Sequence, residues 1–146
     1  MESLKLFTER LKELMDDKNL TASELANKVN FHRVTISGIL NGAHAPSTAL
    51  LIALAEYFNC SADFLLGIIE FPRETIFKPV KPFSNILRNC LTQNNITEYR
   101  LQKDLKLSAS LTYRWLRNLA VPSVDSLIAL ADYFGCSVDY LLGREN

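Results

Sequence analysis

The sequence predicts an all-α protein made of two tandem copies of one five-helix domain. The first observation is a repeat: "LIALAEYFNCSADFLLG", Leu51 to Gly67, returns as "LIALADYFGCSVDYLLG", Leu127 to Gly143, with 13 of 17 positions identical. An offset of 76 carries the match back to Phe7 and Phe83 without a gap, and 21 of the 61 positions from Phe7 to Gly67 are identical. The second is periodicity, since apolar residues in both copies recur at helical spacing and nowhere alternate as in a strand. The expected division is a first domain over 1–68, a connector over 69–82 and a second domain over 83–146.

The elements follow in order. Leu4, Phe7, Leu11, Leu14 and Met15 mark helix one. Thr21 with Glu24 three residues on is a capping-box signature for helix two, whose apolar residues are Leu25, Ala26 and Val29. A short turn through Asn30 and Phe31 leads to helix three, about His32 to Asn41, and Asn41-Gly42 ends it. Ser47 caps helix four, Ser61 caps a last helical turn, and Asp63 sits where a helix N-terminus favours a carboxylate. The second copy repeats this with Arg100 in place of the capping-box glutamate and Asn118 in place of Gly42.

The stretch 68–82, the connector with the last residue of the first domain, contains Pro72, Pro79 and Pro82, which break any long helix, and Ile68, Ile69, Phe71, Ile76, Phe77 and Val80. Flexible tethers are polar and rich in Gly and Ser, so a largely extended segment packed on one or both copies is expected. Fully extended, its fifteen residues "IIEFPRETIFKPVKP" reach roughly 50 Å.

Composition narrows the function. The chain carries 16 basic and 16 acidic residues, so no large positive field surrounds it. No apolar run is long enough to span a membrane, the N-terminus has no signal-peptide core, and a cytoplasmic protein is expected. Cys60 and Cys136 share one place in the repeat and Cys90 stands apart; a small core residue used twice is the expected role. Two histidines, no metal-binding motif and no phosphate-cradling glycine loop predict neither an enzyme nor a cofactor or metal site.

The stretch "LTASELANKVNFHRVTISGILNG" followed by "PSTALLIALAEYFNCSADFLLG", and its counterpart "ITEYRLQKDLKLSASLTYRWLRN" with "PSVDSLIALADYFGCSVDYLLG", resemble the helix-turn-helix (HTH) unit of the phage-repressor (XRE, lambda-repressor-like) family. The resemblance implies two DNA-reading heads. In such motifs helix three lies in the major groove and its N-terminal residues meet base edges. With Ile36 and Ile39 inward, the outer face of the first copy presents His32, Arg33, Val34, Ser37, Gly38 and Asn41. Arg33 is the expected base reader, because a guanidinium donates two bonds to guanine O6 and N7. In the second copy Thr112 and Trp115 take the inward places, and Ser108, Ala109, Ser110, Tyr113, Arg114 and Arg117 face outward. Many members of the family have a glutamine at the start of helix two; here Ala22 and Glu98 stand there, and Glu98 would repel phosphate.

A sequence-specific DNA-binding regulator, a repressor as the resemblance implies, is therefore expected, with double-stranded DNA as partner. The alternative is an HTH-derived protein-interaction module of antitoxin or phage-control type. Half-sites one turn apart are roughly 34–36 Å apart, so either one chain is an intrachain pseudo-dimer or two chains form a homodimer.

Overall fold

The computed structural model describes residues 2–73 and 75–146. It divides into two compact units, one ending at Phe77 and the next beginning at Lys78. The described residues form helices only, in the order the repeat predicts.

The first unit contains α1 (Glu2–Asp17), α2 (Ala22–Val29), α3 (Arg33–Leu40), α4 (Thr48–Phe58) and α5 (Ala62–Leu65). Phe7, Leu11 and Met15 of α1 are buried with Leu25, Ala26 and Val29 of α2, Ile36 and Ile39 of α3, Leu50, Leu51, Leu54 and Ala55 of α4, and Ala62 and Leu65 of α5. The capping box forms: Thr21 Oγ1 accepts from Glu24 N at 3.2 Å, and Glu24 Oε1 accepts from Thr21 N at 3.1 Å. The Thr21 backbone N–H first, and the Thr21 hydroxyl beside it, hold the Glu24 carboxyl below the usual carboxylate range. Ser47 and Ser61 cap α4 and α5 by accepting from Leu50 N and Phe64 N.

The second unit contains α6 (Phe83–Gln93), α7 (Glu98–Leu105), α8 (Ala109–Leu116), α9 (Val124–Phe134) and α10 (Val138–Leu141). Thr97 caps α7 by accepting from Arg100 N at 3.1 Å, and with arginine at that place the cap is one-sided. The tight stops are shared even where the residues differ. Left-handed backbone occurs at Asn19 and Asn95, Asn30 and Lys106, Gly42 and Asn118, Asn59 and Gly135, and Gly67 and Gly143, each pair one offset apart. Nine of these ten are Asn or Gly, which adopt this backbone at no great steric cost, whereas Lys106 meets the full Cβ penalty.

Two expectations change. Phe71 is 73% and Ile76 92% exposed, so these connector residues are uncovered, although Lys78 N and Lys81 N donate to the Arg144 and Leu142 carbonyls of the second unit. Pro79 and Pro82 keep residues 78–82 out of a helix, and the two backbone bonds fasten this stretch to the second unit. Cys60 and Cys136 are half-buried rather than core, and Cys90 is the buried one. A hydrogen bond from Cys136 draws the Cys90 thiol below its usual range.

Candidate nucleic-acid interface

The α2–turn–α3 geometry comes from the chain's own punctuation. α2 stops at Asn30 (φ 63°), and α3 starts from His32, whose extended backbone begins the helix without a side-chain cap bond. α3 is then anchored on one side only. Ile36 and Ile39 are fully buried, and Thr8 Oγ1 of α1 donates to the Ile39 carbonyl at 3.1 Å. The opposite side holds the residues expected there: His32, Arg33, Val34 and Asn41 are exposed, and Ser37 and Gly38 are half-buried. Val34 is 81% exposed, which a folded domain tolerates but does not need.

The second unit builds the same frame from different residues. Thr112 and Trp115 are buried, Trp115 edge-on to Phe83 at 6.0 Å between centroids. The Thr112 hydroxyl accepts from Gln102 Nε2 at 2.7 Å and donates to the Ala109 carbonyl at 3.1 Å, so its burial is satisfied. Arg88 Nη2 donates to the Leu116 carbonyl at 2.6 Å, fixing the end of α8 from α6 as Thr8 fixes α3 from α1. Ser108, Ala109, Ser110, Tyr113, Arg114 and Arg117 are all exposed. Ser108 caps α8 by accepting from Leu111 N at 3.1 Å, and the Arg117 guanidinium stacks 4.4 Å over the Tyr113 ring.

Sequence reading passed over several residues beside these faces. Tyr99, Leu119 and Val121 are 72%, 67% and 61% exposed, from the first turn of α7 and the α8–α9 connection. The first copy has Ser23, Ala43 and Ala45 at those places, so comparing the copies by offset shows the contrast. His44 was also passed over. A Cβ at Gly38 would overlap its Nε2 and lie 2.9 Å from its Cδ2, so the imidazole rests directly on the α3 backbone. Glu98 is exposed in the first turn of α7.

The first unit matches the helix-turn-helix family over residues 11–65, and the second matches the Cro/C1-type HTH DNA-binding domain over residues 86–146. The chain belongs to this family and carries two XRE-like HTH domains in tandem. Fold and family together place it among helix-turn-helix DNA-binding regulators. No curated protein and no solved structure matches it. Among the described residues, no helix is long and apolar enough to cross a membrane, and no group of His, Cys, Asp and Glu is arranged to hold a metal ion.

Proposed function

We propose that the chain is a sequence-specific transcription regulator that reads the major groove with α3 of its first domain and represses by occupying polymerase's site. One observation carries this: α3 is gripped on its isoleucine side and by Thr8, leaving His32, Arg33, Val34 and Asn41 outward on a rigid support. Arg33, at the first position of α3, supplies the bidentate donor for guanine. Val34 supplies an apolar contact for a thymine methyl, and His32, Ser37 and Asn41 supply contacts to phosphate or bases.

The second domain offers the equivalent face. Ser108, Ala109 and Ser110 start it, and Arg114 and Arg117 suit phosphate contacts, which position without specifying sequence. Two such faces in one chain make an intrachain pseudo-dimer reading an asymmetric site; a homodimer reading through the first domains alone is the other arrangement. A protein-interaction role is the second reading, favoured by the exposed Tyr99, Leu119 and Val121 beside α8.

Selection from a random-duplex library at low salt, followed by salt titration, tests the proposal. An enriched motif that Arg33→Ala no longer binds supports it. Loss only in Arg114→Ala would move the reading head to the second domain. A failure to enrich any motif would leave the protein-interaction reading.

A further inference from the structure

Resting on that reading of α3, we propose that His44, from the α3–α4 connection, is a DNA-contact residue of the first domain and that Gly38 is there to seat it. The imidazole lies where a Cβ of residue 38 would be. Glycine costs a helix interior about 0.5–1 kcal/mol relative to alanine, so its use in the middle of α3 calls for a compensating role. Seating an imidazole against the backbone is that role. Position 38 is one helical turn beyond Val34 and lies on the same side of α3, away from the buried Ile36 and Ile39. His44 is itself exposed, so its ring adds polar N–H capacity to the face without being consumed by the core.

The second domain supports the assignment by an exchange. One offset on, Gly38 becomes Arg114 and His44 becomes Ala120. Where the helix carries a long basic side chain, the connection carries a methyl; where the helix carries nothing, the connection delivers an imidazole. Each domain thus carries one nitrogen donor between these two places, in the first from the loop and in the second from the helix. The donor class suits a phosphate oxygen or a purine acceptor.

The segment that carries the ring has no carboxylate of its own, while α1, packed against α3, brings Lys5, Glu9 and Lys12 to a cleft shared with Leu40, Asn41 and Gly42. Residues 33–47, which form α3 and its connection to α4, contain no Asp or Glu, and their charged or titratable groups are Arg33 and His44. His32, at the N-cap, is the nearest further titratable group in sequence.

The test uses the full chain and the duplex that the wild type enriches from a random library. Affinity is measured against salt at one fixed pH. His44→Ala is expected to weaken binding about tenfold. The double variant Gly38→Arg/His44→Ala transplants the second domain's solution and should regain affinity, with the slope of log affinity against log salt steeper by about 0.9, one phosphate's share. Wild-type binding by His44→Ala while Arg33→Ala fails would overturn the inference and leave the reading of α3 standing. A double variant that binds no more tightly than His44→Ala would overturn it as well. If Arg33→Ala and His44→Ala both bind normally, reading by α3 is itself wrong.

Discussion

Arg144 Nη1 donates to Asp139 Oδ1 at 2.6 Å, with the two side chains 1% and 0% exposed. Asp139 lies in the first turn of α10, and Asp63 occupies the matching turn of α5, buried to 2%. The cation is not shared in this way: Ile68 stands at the place equivalent to Arg144 and is 47% exposed. The closing segment of the second domain is therefore tied down by a buried charge pair. The Arg144 carbonyl also accepts from Lys78 N at 2.8 Å, so the same residue fastens the entering chain.

Removing one member of a buried pair leaves the other charge uncompensated, at a cost of about 3–5 kcal/mol. Arg144→Met should destabilise the second domain by that amount. The protein has one tryptophan, Trp115, and it is buried in this domain, so its fluorescence follows this unfolding alone. A urea midpoint equal to that of the wild type would show that the pair contributes nothing.

Trp115 is the largest fully buried side chain and replaces Ile39 of the first domain. Its truncation empties the space between α8 and α6. Trp115→Ala should cost about 3–5 kcal/mol. Far-ultraviolet circular dichroism should then show an early transition assignable to the second domain, followed by the unchanged unfolding of the first. A single transition at the wild-type midpoint would contradict this.

Much of this frame can be read without coordinates. Helical spacing and the offset of 76 place Trp115 inward because it stands in register with Ile39, although an arene on a DNA-binding helix invites the opposite guess. Caps are local, so Thr21, Ser47 and Ser61 declare themselves. What local pattern does not carry is closure over distance. Six apolar residues suggested a covered connector, yet Phe71 and Ile76 are exposed, because burial depends on a neighbour's surface and not on hydropathy. His44 meets Gly38 through a loop that turns back on its own helix, and no periodicity marks such a meeting.

Lys106 ends α7 with φ at 55°, where the first domain has Asn30 at 63°. A β-carbon in this region costs roughly 1–2 kcal/mol, which glycine avoids at some entropic expense of its own. Lys106→Gly should accordingly stabilise the second domain by about 1 kcal/mol, whereas Asn30→Gly should change the first domain little. Both are read from chemical unfolding, the first by Trp115 fluorescence. A destabilised Lys106→Gly would mean that the lysine side chain contributes more than its backbone strain removes.

The last prediction concerns pH. The Tyr133 hydroxyl donates to Asp104 Oδ2 at 2.6 Å, and Arg100 Nε donates to the same oxygen at 2.9 Å. The tyrosine bond, then the arginine bond, hold the Asp104 carboxyl below its ordinary range. A lowered folded pKa means that this stabilisation is present above the ordinary aspartate value near about 4 and is lost as pH falls through the folded value. The same bond, its largest cause, raises the Tyr133 hydroxyl, so that contribution is present below about pH 10 and is lost as pH rises through the folded value. Tyr133→Phe removes the shared bond and should flatten the stability profile of the second domain at both ends. Melting followed by Trp115 fluorescence between about pH 3 and pH 11, the span of those two groups, measures it. The wild-type advantage over Tyr133→Phe should be greatest near neutrality and shrink toward each limit. An advantage that is constant across the range would separate it from the Tyr133–Asp104 bond, and no advantage at all would leave Tyr133 only its ring contact with Phe134, which the substitution preserves.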